Sequence, residues 1–207
     1  MPVITISRLF GSGGSEVAAN VADAFGWTLL DSAFVQRVAS ALNATPAHVR
    51  AIEERVPSLA ERIADAFAFG GGEIVSPFIG TPLPPAEDRL LEVTRHVIDE
   101  AVARGPVVLV GRGAQASLAN RNDAIHVLCC APFESLVARI EQREAISHES
   151  ARQRVTEMNR RREHFVRRNW QRDWLAATNY DLCVNTSSLG IAGATDAIVR
   201  AGRARGW

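Results

Sequence analysis

Val3-Ile4-Thr5-Ile6-Ser7-Arg8-Leu9-Phe10-Gly11-Ser12-Gly13-Gly14-Ser15 decides the fold of this chain. An apolar run meets a glycine cluster, and a helical pattern follows from Glu16 to Phe25. A second apolar run, Trp27 to Leu30, then ends on Asp31-Ser32. Strand, glycine loop, helix, strand is how a phosphate cradle is built: glycines let backbone N–H groups turn inward, and the helix N-terminus adds partial positive charge. The full loop pattern is a glycine, four residues, then Gly-Lys-Ser/Thr. Laid on this chain, Ser15 takes the magnesium-ligand position, Gly13 is retained, Gly14 replaces the lysine and Arg8 replaces the first glycine. Gly11, Ser12, Gly13, Gly14 and Ser15 are the expected phosphate contacts. Arg8 either swings a guanidinium into the space the lysine leaves or pairs with a surface carboxylate.

The chain of 207 residues contains no lysine; all 23 basic residues are arginine. Phosphate charge not met by backbone or metal must therefore be met by guanidinium groups, and Schiff-base chemistry through lysine is excluded. With 23 acidic residues the net charge is zero, so bulk charge implies neither nucleic acid nor an anionic membrane as partner. No apolar run approaches the roughly 20 residues of a membrane span. Cys129, Cys130 and Cys183 sit in apolar runs without metal-ligand spacing and read as reduced core residues of a cytoplasmic protein.

Apolar runs alternate with helix-period segments, which predicts an α/β fold of three layers: a short parallel sheet of about five strands with helices on both faces. The expected strands are Val3–Ser7, Trp27–Leu30, Val107–Val110, Ile125–Cys130 and Asp181–Asn185. The expected helices are Ser15–Phe25, Ala33–Leu42, Ala47–Phe67, Glu87–Arg104, Phe133–Arg143, His148–Arg168 and Ile191–Arg203. The length suits one domain, 1–207. Glycines and prolines at 69–85 interrupt a helical region at 32–105 and read as a flap or an interface arm. Phe67, Phe69, Phe78, Trp170 and Trp174 could serve a homo-oligomer interface or simple packing. Ten arginines fall between Arg139 and Arg172. They suit either a solvated helix face paired with glutamates or an arginine lid over phosphates.

Ser7-Arg8-Leu9-Phe10-Gly11-Ser12-Gly13-Gly14, then Leu29-Leu30-Asp31-Ser32 with Arg37, Gly111-Arg112 after the third strand, the arginine helix and Tyr180-Asp181-Leu182 follow one another in a familiar order. This order resembles the cytidylate kinase-like branch of the nucleoside monophosphate kinases, whose members also lack the loop lysine. The resemblance implies a P-loop kinase fold with an arginine-rich helical lid at 148–175. It implies ATP and Mg2+ as donor and cofactor, and a small phosphorylated acceptor such as CMP or dCMP. Gly11 to Ser15 would hold the donor phosphates, with Ser15 on magnesium. Ser32, Arg37 and Arg112 would meet the acceptor phosphate. Arg162 and one of Arg167 or Arg168 would close from the lid, and Asp31 would support the metal or cap a helix.

The chain departs from the cytidylate pattern at several positions. Gly113 follows Arg112 where an aspartate is usual, Ala33 replaces a glycine, and Asn159 and Phe165 replace an aspartate and a tyrosine. Two functions are therefore open: an ATP-dependent phosphotransferase, or a nucleotide-binding regulatory protein that kept the scaffold and lost the chemistry.

Overall fold

The structure is a computed structural model that describes residues 1–31 and 86–207. The chain divides into two compact units, Met1–Asp31 with Ala101–Trp207, and Ser32–Glu100. The expected helices at 33–42 and 47–67, the 69–85 stretch, and the candidate residues Ser32 and Arg37 lie outside the described residues.

The first unit is built on five parallel strands: β1 (Val3–Arg8), β2 (Thr28–Leu30), β3 (Val107–Val110), β4 (Ala124–Cys130) and β5 (Leu182–Asn185). Their order across the sheet is β2-β3-β1-β4-β5. The helices are α1 (Gly14–Phe25), α2 (Ala86–Arg104), α3 (Ala114–Ser117), α4 (Phe133–Glu144), α5 (His148–Trp170) and α6 (Thr186–Ala204), with a 3-10 turn at Ala177–Asn179.

Burial follows strand position. Central strands β1 and β3 are buried almost throughout; β3 is an unbroken apolar run, and β1 interrupts its own with Thr5 and Ser7. Edge strands β2 and β5 are short and half exposed. Cys183 lies on edge strand β5 and is exposed, so the expectation of three core cysteines holds for Cys129 and fails for Cys183. Its apolar neighbours misled: only one of the four β5 residues, Val184, is buried.

Several apolar clusters hold the first unit together. Helix α1 presents Val17, Ala18, Val21 and Ala22, spaced for one face, to Ala194, Ile198 and Val199 of α6 and to β1, β3 and β4. Elsewhere Leu136, Val137 and Ile140 of α4 pack with Ala151 and Val155 of α5. Fully burying each such aliphatic side chain stabilises by about 1.5–3 kcal/mol. A third, smaller cluster joins Val166 of α5 to Ala116 and Trp174. Trp174 is therefore a core residue of its own chain.

Helix ends differ from the periodicity in two instructive places. Helix α6 begins at Thr186, five residues before Ile191, because the Asn185 side chain accepts from the Ser187 and Ser188 N–H groups. Gly190, at φ 67° and ψ 175°, then breaks the helix, and the apolar pattern resumes beyond it. Helix α5 starts from a Ser147 cap and runs to Trp170, two residues past the expected end. The short helix α3 went unread because four residues carry no periodicity.

Candidate active site

The loop between β1 and α1 is a closed turn with an open row of donors. Leu9 N–H donates to the Cys129 carbonyl at 3.0 Å. Both the N–H and the hydroxyl of buried Ser12 donate back to the Leu9 carbonyl, at 3.2 and 2.8 Å. Gly13, in the left-handed region at φ 73°, gives its carbonyl to Glu16 and Val17 of α1. Among the described residues, the N–H groups of Gly11, Gly13, Gly14 and Ser15 make no hydrogen bond. Unengaged amides at a helix N-terminus form a nest for an anion. Ser15 is exposed in the first turn of α1, where its hydroxyl is accessible to a metal.

Beside the loop, a cavity opens at the carboxyl ends of β1 and β3. The chain leaves β1 toward one edge of the sheet and leaves β3 toward the other, so this is the topological switch point where open α/β sheets bind ligands. Arg8, Arg112 and Arg162 line it, with Ser7, Gly111, Gly113 and Gln115. Phe165, Val166 and Trp174 give it an apolar wall, and no carboxylate is among its described lining residues.

Arg8 is the centre of this arrangement. Its guanidinium lies where a side chain on Gly111 would have to stand, and Gly111 has φ 71°. Its Cβ is 2.5 Å from the place a Cβ on Gly14 would take. Burial, and then the neighbouring Arg112 charge, lower the Arg8 pKa, while the Asp31 carboxylate pulls it back up. Asp31 thus acts on Arg8 electrostatically. Burial also lowers Arg112, whose Nε is buried without a hydrogen-bond partner. Arg162 is pushed down to about 9, by burial first and then by Arg8 and Arg143. Each shift has the sign of burial disfavouring the charged form.

Arg162 comes from the middle of α5 and donates to the Arg8 carbonyl at 2.6 Å. Asn159, one turn earlier, accepts from the Phe10 N–H at 2.8 Å. The Phe10 ring has the Arg143 and Arg162 guanidinium carbons 5.1 and 5.6 Å from its centre. Arg167 and Arg168 lie on the exposed side of α5, and Arg167 pairs with Glu163 at 2.7 Å. Arg160 and Arg161 share Glu157 in the same way. The outer face of the arginine helix is thus the glutamate-paired surface of the first reading, while Arg162 alone among these turns to the loop. Four further residues, named in the sequence but without these roles, shape the site. Arg139 holds Glu16 through both carboxylate oxygens at 2.7 Å. The Trp170 ring covers the Cβ position of Gly113. Gly111 makes room for Arg8, and Asn159 fastens the loop. Only a contact across about 150 residues of chain reveals the last of these, and no local signal does.

No group of three or more His, Cys, Asp or Glu side chains among the described residues is arranged to hold a metal. No described helix is long and apolar enough to cross a membrane.

A parallel five-stranded sheet with a glycine loop leading into α1 defines the P-loop kinase fold. Solved structures agree. An uncharacterized protein from Eubacterium ventriosum is similar over 98% of this chain and 99% of its own, with TM-score 0.69 and 19% identity. A shikimate kinase from Acinetobacter baumannii, solved with shikimate, matches over 99% and 94% with TM-score 0.52 and 15% identity. A shikimate kinase from Bacteroides thetaiotaomicron matches over 96% of both chains with TM-score 0.50 and 15% identity. Within that fold, the cytidylate kinase-like family model matches residues 3–188, and the chain belongs to that family. No curated protein matches it.

Proposed function

We propose that the chain is a phosphotransferase that moves the terminal phosphate of ATP-Mg to a small phosphorylated acceptor of the CMP or dCMP kind. The observation that carries the reading is the joining of two features: four unengaged loop amides and, beside them, a cavity lined by Arg8, Arg112 and Arg162. Phosphoryl transfer needs positioning and charge neutralisation more than covalent help. Amides of Gly11, Gly13, Gly14 and Ser15 would hold the donor phosphates. Arg8 and Arg162 would meet the charge that the loop lysine meets elsewhere, and Arg112 would face the acceptor phosphate.

Arg8 and a lysine at position 14 exclude one another. A side chain at Gly14 would run into the Arg8 Cβ at 2.5 Å and the Cys129 Cβ at 3.0 Å. Any side chain at position 8 would put a Cβ in that place, so a non-glycine residue at 8 goes with glycine at 14. Mg2+ fits such a site through the Ser15 hydroxyl, since this ion is bound by few side chains together with phosphates. It would supply neutralising charge on those phosphates. Asp31, which already acts on Arg8, is the candidate to support it.

One observation favours the second reading, a nucleotide-binding protein without turnover: a donor of Arg162 is already committed to the Arg8 carbonyl. The test is formation of ADP from ATP-Mg against a panel of nucleoside monophosphates with a no-acceptor control. Acceptor-dependent turnover supports the kinase. Nucleotide binding without turnover on any acceptor supports the regulatory reading.

A further inference from the structure

We propose that Asn159 and Arg162 form a two-point clamp from α5 that sets the shape of the glycine loop, with Asn159 as a positioning residue. Resting on the reading of that loop as the donor-phosphate site, the proposal concerns how the loop is held.

The two residues are three apart on a helix and so lie on one face. Arg162 Nη1 holds the Arg8 carbonyl at 2.6 Å, and Asn159 Oδ1 holds the Phe10 N–H at 2.8 Å. These two groups bracket the Leu9 residue, where the chain leaves β1 and enters the loop. Both contacts are partly buried, so water competes poorly for either partner. The Phe10 ring also lies within 5.1 and 5.6 Å of the Arg143 and Arg162 guanidinium carbons. The loop's own bonds, from Ser12 back to Leu9, fix only the turn that follows.

Helix α5 can bear this duty because it is anchored on both sides of the clamp. Ala151 and Val155 are buried against α4, and Val166 packs with Ala116 and Trp174. Asn159 and Arg162 sit between these anchors. The clamp also assigns the Phe10 amide: it serves α5, while the four amides from Gly11 to Ser15 stay open. An acceptor oxygen is what position 159 needs. An aspartate supplies one at the same reach, whereas leucine fills the same volume without it.

The test compares Asn159→Leu with Asn159→Asp by amide hydrogen exchange at Phe10, followed by NMR, and by calorimetric titration with ATP-Mg. In Asn159→Leu the Phe10 amide exchanges roughly tenfold faster or more while the β1 amides of Ile4 and Ile6 keep their protection. ATP-Mg affinity falls about tenfold, the loss expected for one partly buried hydrogen bond. In Asn159→Asp the Phe10 protection remains. Should the leucine variant unfold, retained Phe10 protection in the aspartate variant, against faster exchange in Asn159→Ser, decides the same point. Unchanged Phe10 exchange and unchanged affinity in Asn159→Leu overturn the clamp. If Phe10 exchange responds as stated but the unaltered protein binds no nucleotide, the clamp stands and the phosphotransferase reading falls.

Discussion

Gly14 can carry no side chain, because the Arg8 Cβ stands 2.5 Å from where its own Cβ would lie. A loop lysine therefore cannot be restored by one substitution. Gly14→Lys is expected to destabilise by about 1–3 kcal/mol through overpacking, and to lose rather than gain activity. The double change Arg8→Gly with Gly14→Lys removes the clash with position 8, leaving the Cys129 Cβ contact at 3.0 Å, and should recover part of both folding and turnover. Thermal melts and initial rates of the three variants check this. A fully active Gly14→Lys would show that the two positions do not compete.

Gly111 serves Arg8 from the other side. Alanine there would take a positive φ and occupy the place of the Arg8 guanidinium. Gly111→Ala should cost about 1–3 kcal/mol in stability and lower turnover about as far as Arg8→Ala does. Steady-state rates beside unfolding curves separate the two effects. An alanine variant with normal turnover would place Arg8 outside the reaction.

Arg8, Arg112 and Arg162 all have their guanidinium pKa lowered by burial, and Arg8 and Arg162 also by neighbouring arginine charge. An anion in the cavity relieves that cost. ATP-Mg at a hundred times its Kd should stabilise the protein by about 2.7 kcal/mol, visible as a higher Tm. Arg162→Ala should retain less of the shift. Equal shifts in both proteins would remove Arg162 from the phosphate contacts.

Much of this was legible in the sequence, for physical reasons that also explain the rest. The buried central strands β1 and β3 are mostly apolar, and a glycine cluster followed by helical periodicity admits few folds. Edge strands gave less: Cys183 sits in an apolar run and is nevertheless exposed. Arg8 and Arg162 were readable as candidates because phosphate chemistry without lysine needs arginine. Their meeting, at 2.6 Å from guanidinium to carbonyl, was not readable, because it joins positions 154 residues apart. Gly111, Asn159 and Trp170 stood out in the sequence for other reasons, and their roles here were unreadable because they exist only in the packed site.

His126 gives the fold a pH dependence. Its Nδ1 is 2.7 Å from the Thr5 hydroxyl in the sheet interior. Burial lowers its pKa below the usual 6.5, against a smaller opposing pull from Asp181. A base whose folded pKa is depressed favours the unfolded chain once protonated. Its share of stability is full above 6.5 and is lost as pH falls through the lower folded value. Denaturant midpoints between pH 8 and pH 5 should show this decline, and His126→Asn should flatten it. An unaltered slope in the variant would assign the dependence to other groups.

The central claim is that Arg8 stands in for the loop lysine in phosphoryl transfer. The most direct measurement is ADP formation from ATP-Mg with a nucleoside monophosphate panel, for the unaltered protein and Arg8→Ala side by side, with both confirmed folded. The account predicts acceptor-dependent turnover that falls by about 10²–10³ or more in the variant, as expected for losing one charge-stabilising group. Turnover that survives Arg8→Ala unchanged would contradict it.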